Sequence, residues 1–274
     1  MKKKYVFLTL VIALTFMITG CTNGEESATT TDTEEPLVVA MELAYPPFET
    51  KDDAGNPTGI SVDFAKAFGE YIGRDVEIVN TAWDGLIPSL QTGKADMVIS
   101  SMTITEERAE TVDFSEPYAN SLLGMLVNKN SEITEAEDLN QEGKTVAVKV
   151  GSTGEIYARN NLTNAEILSL PDESACVTEV TQGKADAFLY DQLTIYRNWK
   201  ANEDTTDAIF IPFQDAEKWG VAVQKGDTEL LDQMNAFIDE YTEAGGFDEL
   251  SEKYLSEEKK TFDELGFKWF FDVD

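Results

Sequence analysis

One short segment of the sequence brings an arginine together with several hydroxyl side chains. Ser100-Ser101-Met102-Thr103 precedes Arg108, and Thr105 stands three residues before Arg108, the spacing of a helix N-cap. A guanidinium binds a carboxylate through two parallel hydrogen bonds, which a lysine cannot do. The helix dipole disfavours a cation in a first turn, so a bound anion would explain the position of Arg108. The alternative is a surface arginine paired with Glu107 or Asp113.

Carboxylates and aromatic rings follow other apolar runs. Asp191 follows one such run, where it can meet an ammonium group or cap a helix. Glu42 follows another and is either a pocket group or a surface carboxylate. Tyr45 and Trp83 can form opposite walls of a pocket, or they can cover the core. Together with Arg108, these residues match a free α-amino acid: a guanidinium for its carboxylate, a carboxylate for its ammonium and rings for its side chain.

A glycine-containing loop, Lys149-Val150-Gly151-Ser152-Thr153-Gly154, precedes a predicted helix. The free N–H groups at the start of that helix form a weak anion site. The loop lacks the spacing and the Lys-Ser/Thr ending of a nucleotide-binding P-loop. It therefore indicates a second place where a carboxylate can bind, and not a nucleotide site.

The composition excludes several classes of function. The chain has 52 acidic and 21 basic side chains and a net charge of −31, so nucleic acid is not an expected partner. It has no histidine, the commonest general base and metal ligand near neutral pH, and we predict no catalytic residue, metal or cofactor. Cys176 is predicted to be a buried, unpaired thiol, because the other cysteine, Cys21, is expected to carry a lipid.

The N-terminal segment has the pattern of an exported lipoprotein. Three lysines precede the apolar residues 5–17, a stretch shorter than the roughly 20 residues that a spanning helix needs. Ile18-Thr19-Gly20-Cys21 resembles the bacterial lipobox, so residues 1–20 are predicted to be a signal peptide. An acyl group on Cys21 would anchor the chain in the bilayer at the extracytoplasmic face of the cell membrane. Residues 21–36 are predicted to be a flexible tether. The alternatives are an ordinary signal peptide or a short membrane anchor.

Alternating strands and helices must position these side chains. Apolar patterns predict strands at 37–41, 76–79, 97–99, 145–150 and 185–190, and helices at 62–72, from 86 and after 154. The string Gly-Lys-Ala-Asp occurs at 93–96 and again at 183–186, each time between a helix end and a strand. Two α/β lobes of similar build are therefore expected, and the cleft between them is the expected binding site.

Several strings in combination resemble the polar amino acid family of extracytoplasmic solute-binding proteins of ABC importers, family 3. They are Tyr45-Pro46-Pro47-Phe48, Trp83-Asp84-Gly85-Leu86-Ile87-Pro88, Met102-Thr103-Ile104-Thr105-Glu106-Glu107-Arg108, Asp113-Phe114-Ser115-Glu116-Pro117-Tyr118, Gly151-Ser152-Thr153-Gly154, and Ala185-Asp186-Ala187 with Asp191. The resemblance covers residues 37–255. It implies an α/β, two-lobed, type II periplasmic-binding-protein-like fold, in which helices flank a mainly parallel sheet in each lobe.

The resemblance also implies how the chain is divided. Two hinge crossings are expected, near 118–122 and 215–219. Lobe 1 would comprise residues 37–119 and 219–274, and lobe 2 would comprise residues 120–218. Residues 257–274 continue past the usual end of the family, and their aromatic side chains are expected to pack on lobe 1.

This resemblance implies which residues would bind the head group of the amino acid. Arg108 would bind the α-carboxylate, helped by backbone N–H groups at Thr103 and Thr153. Asp191 would bind the α-ammonium, helped by the serines at 100–101. The protein would close about its hinge on this ligand, act as a monomer and deliver the ligand to the membrane subunits of an ABC importer.

The ligand side chain is assigned to four further positions. Tyr45 and Trp83 would sandwich it, and Glu42 and Lys149 would touch its far end. Glu42 alone favours a basic side chain such as that of lysine or arginine. Lys149 opposes this choice unless it pairs with Glu42, so a glutamine-like amide is the other option.

Two other functions compete with transport. An enzyme on the same scaffold, such as a dehydratase, would need a carboxylate or Lys149 as its general base. A ligand-presenting sensory lipoprotein would bind the same amino acid and pass it to a receptor.

Overall fold

The strands of the computed structural model are arranged in two large sheets and two short ribbons. The structure describes residues 35–210 and 212–273, so the predicted signal peptide and Cys21 lie outside the described residues. The strands are β1 (Leu37–Met41), β2 (Thr50–Lys51), β3 (Pro57–Thr58), β4 (Val76–Asn80), β5 (Met97–Val98), β6 (Val112–Phe114), β7 (Ala119–Ser121), β8 (Leu123–Asn128), β9 (Thr145–Lys149), β10 (Glu166–Leu170), β11 (Ala187–Asp191), β12 (Thr206–Ile209), β13 (Glu217–Trp219) and β14 (Ala222–Gln224). The helices are α1 (Ile60–Ile72), α2 (Leu86–Gln91), α3 (Glu106–Ala109), α4 (Thr153–Asn161), α5 (Glu173–Thr181), α6 (Gln192–Ala201), α7 (Thr228–Glu243) and α8 (Gly246–Leu265). Short 3₁₀ turns cover Trp83–Gly85 and Ala136–Leu139.

Each large sheet belongs to one lobe and has the same pattern of directions. Among the described strands, the first sheet has the order β4-β1-β5-β14-β6 and the second has β10-β9-β11-β8-β12. β14 runs antiparallel to both of its neighbours, and so does β8, while the other strands of each sheet point the same way. The predicted fold of two lobes with mainly parallel sheets is therefore confirmed.

The two lobes are connected by a pair of short strands. β7 leads from the first sheet into β8 of the second, and β13 leads back into β14 of the first. β7 and β13 pair with each other in an antiparallel ribbon, which forms the hinge. Both hinge crossings occur where the sequence predicted them. The division into residues 37–119 with 219–274, and 120–218, stays a prediction.

The repeated Gly-Lys-Ala-Asp string has the same structural role in both lobes. Gly93 (φ 67°) and Gly183 (φ 69°) adopt the left-handed conformation that ends a helix. Asp96 then accepts a hydrogen bond from a backbone N–H of β1 at 2.9 Å, and Asp186 accepts one from β9 at 2.8 Å. The repeat therefore marks how, in each lobe, the turn after a helix is tied to a neighbouring strand, β1 or β9.

The sequence prediction missed three strands of the second sheet, β8, β10 and β12, and the omission of β10 matters for the site. β10 pairs with β9 at the edge of the sheet, and none of its residues is fully buried. Its apolar pattern is weak for this reason, and the residues that follow it were not considered as site residues.

Two features of the interior match their predictions. Cys176 is fully buried, and burial raises the pKa of its thiol to about 12. The C-terminal aromatic residues pack into the core of lobe 1, where Phe262 and Phe270 are fully buried. Among the described helices, none combines the length and the apolar character that crossing a membrane requires.

Candidate functional site

The loops that follow the strands of both sheets face one cleft between the lobes. Nine of the ten predicted ligand-binding residues line it: Glu42, Tyr45, Trp83, Ser100, Ser101, Thr103, Arg108, Thr153 and Asp191. The tenth, Lys149, lies behind Glu42 and is 1% exposed. Further residues that line the cleft were not predicted: Glu49, Ser121, Leu123, Ser152, Tyr190, Glu217 and Trp219.

Arg108 is held in the cleft by the short helix α3. Thr105 caps this helix and its hydroxyl accepts a hydrogen bond from the Arg108 N–H at 3.2 Å, as predicted. The guanidinium donates to the carbonyl of Thr103 at 2.6 Å and, across the cleft, to the carbonyl of Gly151 at 2.9 Å. Asp113, one of the alternative partners, pairs with a lysine instead. Burial lowers the pKa of Arg108, although the nearby Glu217 opposes this.

A hinge carboxylate lies beside this guanidinium. Glu217 belongs to β13, and one of its oxygens accepts hydrogen bonds at 2.9 Å from the hydroxyl of Thr103 in lobe 1 and from that of Thr153 in lobe 2. Burial raises the pKa of Glu217, and the hydroxyl donors act against that shift. No sequence signal marked this residue, because it lies within a hinge strand and does not follow a sheet strand.

Asp191 caps a helix with one carboxylate oxygen and turns the other toward the cleft. It caps helix α6, where its Oδ1 accepts from the N–H groups of Leu193 at 2.9 Å and Thr194 at 3.0 Å. Its other oxygen, Oδ2, is buried and accepts no hydrogen bond from the described residues. Burial raises the pKa of this carboxyl. One oxygen therefore orients the side chain and the other is available to a donor in the cleft.

The loop that carries Tyr45 turns back on itself. Its two prolines favour an extended backbone, but Tyr45 and Glu49 exchange backbone hydrogen bonds of 2.8 and 3.0 Å. The turn stacks the ring of Tyr45 on Phe48, with 5.2 Å between centroids, and the ring of Trp219 packs against Tyr45 at 6.1 Å. The turn also brings the side chain of Glu49 into the cleft.

Glu49 is a buried carboxyl surrounded by hydroxyl donors. It is 1% exposed and accepts from Ser61 at 2.6 Å, Ser101 at 3.0 Å and Ser100 at 3.3 Å. Ser101 has φ 48°, a left-handed conformation that is uncommon for a residue with a side chain. Burial raises the pKa of Glu49 to about 8, against the effect of the hydroxyl donors.

The far end of the cleft contains a cluster of opposite charges. The ammonium of Lys149 forms ion pairs with Glu42 and, at 2.8 Å, with Glu173. It also lies 5.3 Å from the centre of the Trp83 ring. Burial acts to lower the pKa of Lys149, but the two carboxylates outweigh it and the pKa is raised. Burial raises the pKa of Glu42, with Lys149 opposing the shift. Glu173 was not predicted because the strand before it, β10, was missed.

Comparison with known proteins places this site in a family context. The family model described as "Bacterial extracellular solute-binding proteins, family 3" matches residues 37–257. The L-cystine-binding protein TcyJ of Escherichia coli is 35% identical over 221 residues, which cover 80% of this chain and 82% of that protein. The L-arginine-binding protein of Pseudomonas aeruginosa is 32% identical over 232 residues, which cover 81% of this chain and 89% of that protein.

A solved structure shows the same architecture. It is the crystal structure of an ancestral amino acid-binding protein described as a precursor of cyclohexadienyl dehydratase. Its TM-score is 0.73 and its sequence identity is 38%, over 80% of this chain and 94% of that chain.

Proposed function

The chain belongs to the family 3 bacterial extracellular solute-binding proteins, and from this membership we propose that it captures a free polar amino acid by hinge closure. The closed protein then delivers the amino acid to the membrane subunits of an ABC importer. A ligand that contacts both lobes stabilises the closed form, because its affinity for that form is higher than for the open one. We propose the same lobe division that the sequence predicted, with the hinge at β7 and β13.

The observation that carries this proposal is the pair of unsatisfied charges in the cleft. Arg108 hydrogen-bonds to backbone carbonyls and forms no ion pair among the described residues, and Asp191 keeps a buried oxygen without a partner. An α-amino acid offers a carboxylate to the first and an ammonium to the second. The backbone at Thr103 and Thr153 and the hydroxyls of the serines at 100–101 complete the head-group site.

The side-chain subsite favours a basic side chain. Tyr45 and Trp83 enclose the side chain between the lobes. At its end the ligand meets Glu42, while Lys149 is buried behind it. Lys149 pairs with Glu42 and Glu173, and one ammonium against two carboxylates leaves this cluster with one negative charge in excess. A guanidinium or an ammonium therefore fits this end better than an amide such as that of glutamine, which is the alternative.

The same proposal includes where the protein works. Cys21, after residues 1–20 are removed, would bear the lipid that holds the protein on the extracytoplasmic face of the membrane, and residues 21–36 would tether a monomer there. Replacing Cys21 by Ala should release the protein into the medium, and metabolic labelling with palmitate should mark the wild type but not the variant. Equal labelling of both would contradict the anchor.

Enzymatic turnover is not part of this proposal. Lys149 is engaged by two carboxylates, which disfavours loss of its proton and hence a role as general base. Because one structural relative is described as a precursor of a dehydratase, prephenate is the informative substrate. We expect no product from prephenate, and steady turnover would overturn this part of the proposal.

A thermal-shift screen tests the binding function directly. The ligands are the twenty common amino acids with ornithine, citrulline and cystine, each at several concentrations. A ligand at about 100 times its Kd should stabilise the protein by about 2.7 kcal/mol. We expect the largest shift with a basic side chain, and a larger shift with glutamine would show that the far end prefers an uncharged group. No shift with any of them would contradict amino acid capture.

A further inference from the structure

The chain continues past the part that matches the family, and this extension contacts both lobes. The family match ends at residue 257, and residues 258–273 form the end of α8 and the aromatic segment after it. We propose that residues 258–273, here called the hinge brace, hold the two lobes in the closed arrangement and thereby raise the affinity of the cleft for its ligand. The effect on affinity rests on the proposed binding function, but the effect on lobe arrangement does not.

The hinge brace is anchored in lobe 1. Phe262 and Phe270 are fully buried and Trp269 is 4% exposed. The ring of Phe270 lies 5.1 Å from that of Phe48, and the Trp269 indole donates to the Ser251 hydroxyl at 3.2 Å. Because these groups are embedded in the lobe 1 core, the brace must move together with lobe 1.

Both hinge strands contact the hinge brace. Asn120, in β7, donates its backbone N–H to the carbonyl of Phe270 and its side-chain amide to the carbonyl of Asp272, each at 2.6 Å. Trp219, in β13, stacks on Phe270 with 5.7 Å between ring centroids. Since Trp219 also contacts Tyr45, the brace is linked through one ring to a wall of the cleft.

Lobe 2 contacts the hinge brace at two points. The ring of Phe267 packs edge-to-face on Phe210 at 5.0 Å, and Phe210 belongs to the second core of lobe 2. Glu258 forms an ion pair with Arg197, which lies on α6, the helix that Asp191 caps. Arg197 also donates to the carbonyl of Pro46, in the loop that carries Tyr45, at 2.8 Å.

These contacts give the brace a direct effect on closure. A segment fixed to lobe 1 that also binds lobe 2 stabilises the arrangement in which both contacts form. The apparent affinity of a ligand scales with the fraction of protein in its binding-competent state. An aromatic pair and a partly buried ion pair together change that fraction by about fivefold.

The test uses two substitutions that remove the contacts with lobe 2 and leave Trp269 and Phe270 of the anchor in place, while Phe267→Ala also removes an edge-to-face contact with Phe262. Glu258→Gln and Phe267→Ala are combined, and the ligand-free protein is compared with the wild type by small-angle X-ray scattering. We expect a larger radius of gyration for the double variant. Glu203→Gln, which breaks an ion pair with Lys200 within lobe 2, is the control and should leave the radius unchanged.

A second measurement connects the brace to binding. Isothermal titration with L-glutamine and with L-arginine should give a Kd about fivefold higher for the double variant. An unchanged or smaller radius of gyration in the ligand-free variant would overturn the brace, whatever the titrations show. If neither probe binds either protein while the radius still increases, the brace stands and it is the proposed ligand class that fails.

Discussion

The two ends of the cleft use charge in opposite ways. At the head-group end, Arg108 hydrogen-bonds to two carbonyls and Asp191 keeps a buried oxygen without a partner among the described residues. At the far end, Lys149 already pairs with Glu42 and Glu173. The first end requires charges from a ligand, because a buried charge without a counter-charge is costly. The second end pairs its own cation within the protein, and its two carboxylates leave one negative charge in excess.

This contrast separates residues that bind from residues that stabilise. A charge without a counter-charge in the protein contributes to the affinity for a ligand, whereas a charge that is paired within the protein contributes to the stability of the fold. Substitutions at the two ends should therefore affect different measurements.

The largest effect is expected at the far end of the cleft. Lys149→Met leaves two half-buried carboxylates without their cation, and breaking such a pair costs up to about 3–5 kcal/mol of unfolding free energy. Urea denaturation of the ligand-free protein measures it. The triple variant Glu42→Gln, Lys149→Met and Glu173→Gln should recover most of the loss. If the triple variant is as unstable as the single one, the unpaired carboxylates are not the cause of the loss.

The next largest effect is expected on binding at the head-group end. Arg108→Ala should weaken amino acid binding by at least about 100-fold, because it removes the partner of the α-carboxylate. Arg108→Lys should also bind weakly, since an ammonium cannot form the two parallel bonds. Titration calorimetry measures both, with the exposed Arg159→Ala as the matched control. An unchanged Kd for Arg108→Ala would contradict its role.

Glu49 is a third kind of group, a buried carboxyl without a cation beside it, and the pH dependence of stability should reveal it. The folded protein holds the Glu49 proton up to about pH 8, whereas an unfolded glutamate releases it near its usual value of 4.5. The folded state therefore binds more protons in this range, and the unfolding free energy should fall as pH rises, by up to about 1.4 kcal/mol per pH unit from this group.

Glu49→Gln should remove this slope between about pH 5 and 8, because an amide does not titrate in that range. Urea denaturation at several pH values compares the variant with the wild type. Parallel pH profiles for the two proteins would show that Glu49 is not protonated in the folded state.

The smallest effect is expected at the hinge carboxylate. Glu217→Gln removes a negative charge beside Arg108, so the α-carboxylate of a ligand should bind about threefold to fivefold more tightly at neutral pH. The pKa of Glu217 is raised by burial, so the wild type also loses this charge as pH falls, and the two Kd values should converge in acid. A constant ratio across pH would argue against an electrostatic cause.

The sequence by itself determined the local parts of the site. Strand ends, helix caps and glycine turns depend on a few neighbouring residues, so the cap at Thr105 and a possible cap at Asp191 could be predicted from spacing alone. The same reasoning identified the lobes, because the Gly-Lys-Ala-Asp repeat reflects a turn that forms within one helix–strand unit. The family resemblance added which part of an amino acid each of these residues is expected to contact.

Only the tertiary structure decided which distant polar side chains contact one another. Lys149 and Glu42 are 107 positions apart, and Thr103 and Glu217 are 114 apart, so no local pattern records either contact. Glu49 became a cleft residue because its loop turns back, and Glu173 because an edge strand with a weak apolar pattern positions it. Residues 258–273 were expected on lobe 1, but their contacts with lobe 2 depend on how the lobes close. Spacing along the chain determines backbone conformation, whereas the pairing of distant side chains depends on how the lobes pack.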